Sequence, residues 1–408
     1  MKMNIDFSAP FRTAASWGRG LRVLLPAAAL LVGCGGDDDG NTQPTDDFEE
    51  KAAPVVARYA ELVHKNYSDA LDGVVAIRSS LATLVQTPTA ANLAAARSTW
   101  LEARNPYGLT EAYRFYFGPI DNDEGPEGQI NAWPMDESYV DYVVELPDSG
   151  IINDPGMHPT LGTEALAALN EVGGEENVAT GYHAIEFLLW GQDLSDTGPG
   201  DRPHTDYIDG PDGTAANQTR RGEYLLAAGD LLFEDLEGVT NEWAAGAENY
   251  RATFESRSKR DSVRDILLGI GSLSGAELAG ERMQVAYDTK EEEDEHSCFS
   301  DNTHNDILYN ALGIQNVYLG RIGTTDGPGI DDLVEARNPE LNKKLKEQLE
   351  ASITAIKAIP VPFDQAILGA DTDPGRVAVK AAIDALRAQT QSIVEVADLL
   401  GVELNLEE

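Results

Sequence analysis

The sequence predicts an all-α protein, two helical-bundle domains joined by long irregular loops. Apolar residues recur at three- and four-residue intervals through segment after segment, which gathers them on one face of a helix. Alternating β-branched runs do not persist beyond about five residues, the usual length of a single strand. A chain of 408 residues with only two cysteines must therefore hold by its cores, and it is long enough for two or three of them.

In chain order, Lys2, Arg12, Arg19 and Arg22 lead into the apolar run VLLPAAALLV, then Gly33 and Cys34. A short, proline-broken apolar stretch behind basic residues is the pattern of a secretory signal and too short for a membrane span. Residues 1–33 are expected to be removed, with Cys34 as the lipidated first residue of an exported lipoprotein anchored to the cell envelope. Glycine, not aspartate, follows Cys34, which suits the outer membrane of a cell with two membranes. Acyl chains would then attach the protein to the membrane without spanning it. Residues 34–46, rich in glycine and aspartate, form a polar tether.

An N-terminal bundle is expected over 47–195, opening with FEEKAAPVVARYAELVHKNYSDALDGVVAIRSSLATLV and continuing through NLAAARSTWLEA. Residues 196–215 form a linker loop. A C-terminal bundle follows over 216–408, carried by LLAAGDLLFEDL, SVRDILLGI, NKKLKEQLEASITAIKAI and VAVKAAIDALRAQTQSIVEVADLL. Three irregular regions interrupt the helices, at 118–137, 191–213 and 291–306. Loops beyond about 15 residues are uncommon in compact domains unless they serve a function or are disordered.

The net charge is −40, and removal of residues 1–33, with four basic groups and Asp6, takes it to −43. A surface this acidic repels nucleic acid and attracts cations. With Cys34 acylated, Cys298 is left without a disulfide partner, either a buried inert thiol or a ligand near His296.

The stretch GYHAIEFLLWGQD, residues 181–193, carries the chemistry. His183 and Glu186 are three positions apart in an apolar helical run and project from one face. Two readings share that spacing: a hydrogen-bonded structural pair in a core, or part of a metal site. Gly181 within such a helix costs about 1 kcal/mol against alanine, so close backbone packing is its expected motive. Zinc-peptidase signatures need two histidines four apart with a neighbouring glutamate, or the inverted order, and Phe187 stands where the inverted form needs its second histidine. The di-iron order of glutamate before histidine is reversed. Further ligands must come from elsewhere, and His296 and His304, beside Asp301 and Asp306, are the candidates; oxygen groups beside imidazoles suit iron, manganese or zinc. DNDEGPEGQ has Gly125 and Pro126 where a calcium loop needs a ligand and its turn glycine, and GIGSLSG has the wrong spacing for a dinucleotide loop.

GYHAIEFLLWGQD, together with ARNPYGLTEAYRFYFGPIDNDEGPEGQINAWPMDESYVDYV, LLGIGSLSGAELAGERM and EEEDEHSCFSDNTHNDI, resembles the imelysin-like family, in particular its iron-regulated branch, which is related to an insulin-cleaving membrane protease. The similarity runs from about residue 50 to the C-terminus. It implies two bundle-like helical domains, bacterial export, often by lipoprotein anchoring, and a link to iron acquisition. It also implies Gly181, His183 and Glu186 as the glycine-x-histidine-x-x-glutamate motif, with His183 and Glu186 as metal-binding or active-site residues.

Three functions are then in play. The first is capture of iron, or of an iron-carrying ligand, in a cleft between the bundles, with iron as the expected metal and zinc second. Arg104, Tyr113, Arg114, His296 and His304 are further cleft candidates, and paired arginines would favour an anionic chelate. The second is a metal-dependent peptidase with Glu186 as base or ligand. The third is a non-enzymatic module that docks on a membrane transporter or receptor.

Overall fold

The computed structural model describes residues 47–195 and 197–406; the expected signal, Cys34 and the tether lie outside them. Among the described residues no strand occurs, only isolated bridges at Val143–Leu146 and Ile322–Thr325. The all-α expectation is met. No described helix is long and apolar enough to cross a membrane.

Helix α1, Phe48–Gln86, opens with Glu49 and Glu50 in its first turn, where the positive end of the helix dipole favours them. It buries Tyr67, Ala70, Val74, Ile77, Leu81 and Leu84, an alternation of three and four that makes a continuous apolar seam. Helix α2, Ala90–Thr110, starts where the Thr89 side chain accepts a hydrogen bond from the Asn92 amide, and it runs back along α1. After short turns and loops comes α3, Gly181–Trp190, every residue of which is buried. A helix apolar all round is a core helix, and α3 is enclosed by α2 and by α4, Gln218–Glu242.

Helix α5, Lys259–Ser272, passes without a break into a π-helical stretch, Leu273–Val285. Hydrogen bonds from i to i+5 widen the turn, and such stretches are frequent at functional sites. Three helices complete the frame: α6, Thr303–Tyr318; α7, Pro339–Lys357; and α8, Pro374–Leu400. Helix α8 packs on α7 and on the π stretch. Asn338 caps α7 by accepting from the Leu341 amide, and Gly401, at φ +69°, closes α8.

Helices from either side of residues 196–215 share faces. Helix α1 packs on α2 and also on α4 and α5, while α6 packs on α2 as well as on α7. The site lies where these shared faces meet.

Candidate functional site

Gly181 sits at the first position of α3 and not within it, at φ +79°. A Cβ there would lie 2.4 Å from the Ile130 carbonyl oxygen, so close backbone approach and a left-handed conformation both require glycine. That contact sets α3 against the turn Glu127–Ile130, which delivers Asn131 and Trp133 to the same place.

His183 and Glu186 are 1% and 0% exposed, and His183 Nδ1 shares a 2.9 Å hydrogen bond with Glu186 Oε2. The other carboxyl oxygen, Oε1, accepts from the Ser300 amide at 3.0 Å and the Ser300 hydroxyl at 2.6 Å. Both oxygens of Glu186 are thus engaged. His183 Nε2, in contrast, is buried without a hydrogen-bond partner. Burial pushes Glu186 up to about 8 against the opposing Ser300 hydrogen bond, and burial, reinforced by His296 and Arg104, holds His183 well below its ordinary value. At neutral pH the pair therefore carries no net charge.

His296 joins His183 edge to face, with ring centroids 4.7 Å apart, and Trp133 lies 6.2 Å from the His183 ring and 6.5 Å from the His296 ring. His296 Nδ1 is 3.2 Å from Asp306 Oδ2 on α6, and Ser297 Oγ donates to the same oxygen. Arg104 on α2 donates to Asp306 Oδ1 at 3.2 Å and to Asn131 Oδ1 at 2.6 Å. Its guanidinium also stacks over Trp100, Tyr107 and Tyr182. Burial would raise the Asp306 carboxyl, but Arg104 and His296 outweigh it and keep it ionised. Burial, then the Arg282 charge, brings His296 down to about 4, so both imidazoles are neutral near pH 7.

Above His296 opens a cavity of about 590 Å³, lined in part by Trp133, Arg114 and Arg282. Four of its lining residues, Glu277, Glu281, Arg282 and Val285, come from the π stretch, whose wide turns place them on one wall. The arginines are not free for an anion. Arg282 pairs with Glu111 at 2.6 Å and Glu277 at 2.8 Å, and Arg114 pairs with Glu111 at 2.7 Å and Glu127 at 3.0 Å. Burial opposes the ionised form of Glu111, yet these two guanidinium groups hold its pKa far below the usual range. The lining carries six carboxylates, Glu127, Glu171, Glu175, Glu277, Glu281 and Asp294, against two guanidinium groups, a balance of −4. Such a cavity concentrates cations, where the paired arginines had suggested an anionic ligand.

Of the residues singled out from the sequence, His183, Glu186, Arg104 and His296 meet in one network, and Arg114 stands on the cavity wall. Tyr113 is placed instead in an aromatic core with Tyr59 and Tyr67, its hydroxyl accepting from Asn66 Nδ2 at 2.5 Å. His304 lies in the first turn of α6, its Nδ1 buried without a hydrogen-bond partner. Cys298 is a buried free thiol, raised well above its usual pKa by burial and nearby carboxylates, and so inert. Sequence reasoning missed Asn131, Glu111, Arg282 and Ser300, which link the motif to the cavity.

As a metal site, the motif would offer the His183 Nε2 lone pair once Glu186 gives up its proton and its Oε2 accepts from Nδ1–H. This is the arrangement in which a carboxylate orients a ligating histidine. Among the described residues, however, the groups whose ligand atoms lie within 4.8 Å of one another are Asp193, Glu292 and Asp301, not the motif pair. One imidazole nitrogen with a carboxylate partner fits a metal-holding role; the remaining ligands have to come from the cavity or from the cargo itself.

The family model described as Imelysin matches residues 63–393. Over 345 residues the chain is 27% identical to iron-regulated protein A of Synechococcus elongatus, and the match covers 82% of each chain. Its fold is similar to that of an iron-regulated protein A precursor from Parabacteroides distasonis, with a TM-score of 0.68 and 19% identity over 88% of this chain and 97% of the other. It is also similar to an imelysin-like protein from Psychrobacter arcticum, at a TM-score of 0.62 and 15% identity over 88% and 98%.

Proposed function

The chain belongs to the imelysin family, and from that premise we propose that it is an exported, membrane-anchored protein that captures iron, or an iron-carrying compound, in the acidic cavity that His296 lines beside His183. The observation that carries this reading is the unpartnered His183 Nε2. A buried polar atom without a partner costs roughly 1–3 kcal/mol, and a bound cargo would recover that cost. His183 is the ligand in this reading, Glu186 the group that orients it, and His296 a second imidazole within reach of the same cargo. Zinc is the second metal the donor set would accept. A membrane transporter or receptor would receive the cargo.

A metal-dependent peptidase would need Glu186 free to take a proton from water. Both Glu186 oxygens are held, one by His183 and one by Ser300, which favours binding over hydrolysis. The iron link comes from the names of the cyanobacterial and Parabacteroides relatives.

The test is elemental analysis of residues 35–408 produced in metal-replete medium, beside His183→Ala. Near-stoichiometric iron in the first and at least a tenfold loss in the variant is the expected result. Zinc in place of iron would transfer support to the peptidase. No metal in either protein, and no iron chelate bound, would overturn the reading and leave His183 and Glu186 as a structural pair.

A further inference from the structure

A second cluster of carboxyl groups lies on the other side of the Ser300 turn, outside the cavity. Asp193 follows the end of α3 by three residues, Glu292 and Glu295 come from the turn after the π stretch, and Asp301 ends the turn Cys298–Ser300 in a left-handed conformation at φ +55°. Asp364 reaches them from the short helix Phe363–Ile367. Ligand oxygens of Asp193, Glu292 and Asp301 all lie within 4.8 Å of one another.

Acidic residues gather on many surfaces with no ion, but here two of the five are sealed. Glu295 is 1% exposed and Asp364 4%, and Glu295 Oε1 and Asp364 Oδ1 are both buried without a hydrogen-bond partner. Asp193 and Glu292 share a side-chain hydrogen bond, which requires a proton between two carboxyl groups. The charge of Asp364 bears on each of the other four. The charges that bear on Asp301 are those of Asp364 and Asp193, with no lysine or arginine among them. A chain does not hold two buried, partnerless carboxyl oxygens beside three further carboxyl groups without cost.

We propose that Asp193, Glu292 and Asp301, backed by Asp364 and Glu295, form a binding site for a hard divalent cation of the calcium class. Calcium takes six to eight oxygen ligands at roughly 2.3–2.6 Å, so two oxygens on one ion are at most about 5 Å apart, which the observed spacing meets. Magnesium, at about 2.1 Å, demands near-ideal octahedral geometry and keeps several waters, a poorer match to flexible carboxyl groups from three separate segments. The donor set is all oxygen, which disfavours zinc and copper. Without a cation, burial and mutual repulsion push Glu292 up to about 9 and Asp301 to about 7. Asp301 is the neighbour of Ser300, whose amide and hydroxyl hold Glu186, so the ion would also fix the turn that positions the motif.

The test is calorimetric titration of chelator-treated residues 35–408 with calcium chloride, and with magnesium chloride for comparison, alongside melting curves. One calcium per chain and a rise in Tm are expected, with magnesium weaker. Asp301→Asn and Glu292→Gln should each weaken calcium at least tenfold while raising the calcium-free Tm at neutral pH, because a neutral amide of the same shape removes the cost of protonating or burying a carboxyl there. That rise separates loss of the site from loss of the fold. His183→Ala should bind calcium as the native chain does, so failure of the iron reading and failure of this one are distinguishable. Absence of calcium binding at millimolar concentration, or equal binding by the two carboxyl variants, would overturn the proposal, and so would a Tm that follows pH but not calcium.

Discussion

Glu186 has no oxygen to spare: His183 takes one and Ser300 the other. The pairing was legible in the sequence, because three positions on a helix bring side chains together whatever the fold. What the pair meets was not. His296 lies 113 positions further on, and nothing in the local spacing says that its ring will stand against His183. Ser300 gave no signal at all, since a serine in an irregular region is as consistent with solvent as with a clamp. Away from the site, one residue permits a clean test of burial electrostatics. Asp235 on α4 has a buried Oδ2 without a partner, and burial, with Glu234 adding to it, raises its carboxyl to about 7. Between about pH 4 and 7 the folded chain holds a proton there that the unfolded chain releases, so stability falls as pH rises through that window. Asp235→Asn should therefore melt roughly 1–3 °C higher than the native chain at pH 8 and at nearly the same temperature at pH 4. An equal shift at both pH values would refute the assignment.

The same contrast holds for whole elements. Long amphipathic helices such as α1 and α8 announce themselves by their apolar stripes, and they form where those stripes stand. The π stretch does not: about 4.4 residues per turn is a period that the three-and-four pattern of an α-helix conceals, and only tertiary contact with α8 and α6 selects it. The start of α3 was likewise misplaced, since Gly181 reads as an interior helix glycine until the Ile130 carbonyl is seen against it. Gly181→Ala should lower stability by at least about 2 kcal/mol, from positive φ and from overlap with that carbonyl. Chemical denaturation measures it, and a loss below about 0.5 kcal/mol would mean that the turn at 127–130 yields freely.

At the scale of the whole molecule, the sequence divides the chain at 196–215, while the packing ties α1 to α4 and α5 and α2 to α6 across that division. Neither half can leave without exposing the apolar seam of α1. Thermal unfolding of residues 35–408 is thus expected as a single transition with calorimetric and van't Hoff enthalpies in agreement. Two resolved transitions would instead show the halves as independently folding bundles. The two imidazoles lie beneath this shared packing, 1% and 3% exposed, and His296 lines the acidic cavity. If the proposed cargo binds there, electrostatic attraction would set its arrival rate, but it would leave only when the side chains above it move aside, so residence would be timed by the protein's own opening and not by bond strength alone. On that reading the cargo would survive brief encounters with competing chelators and be released where a partner prolongs the open state.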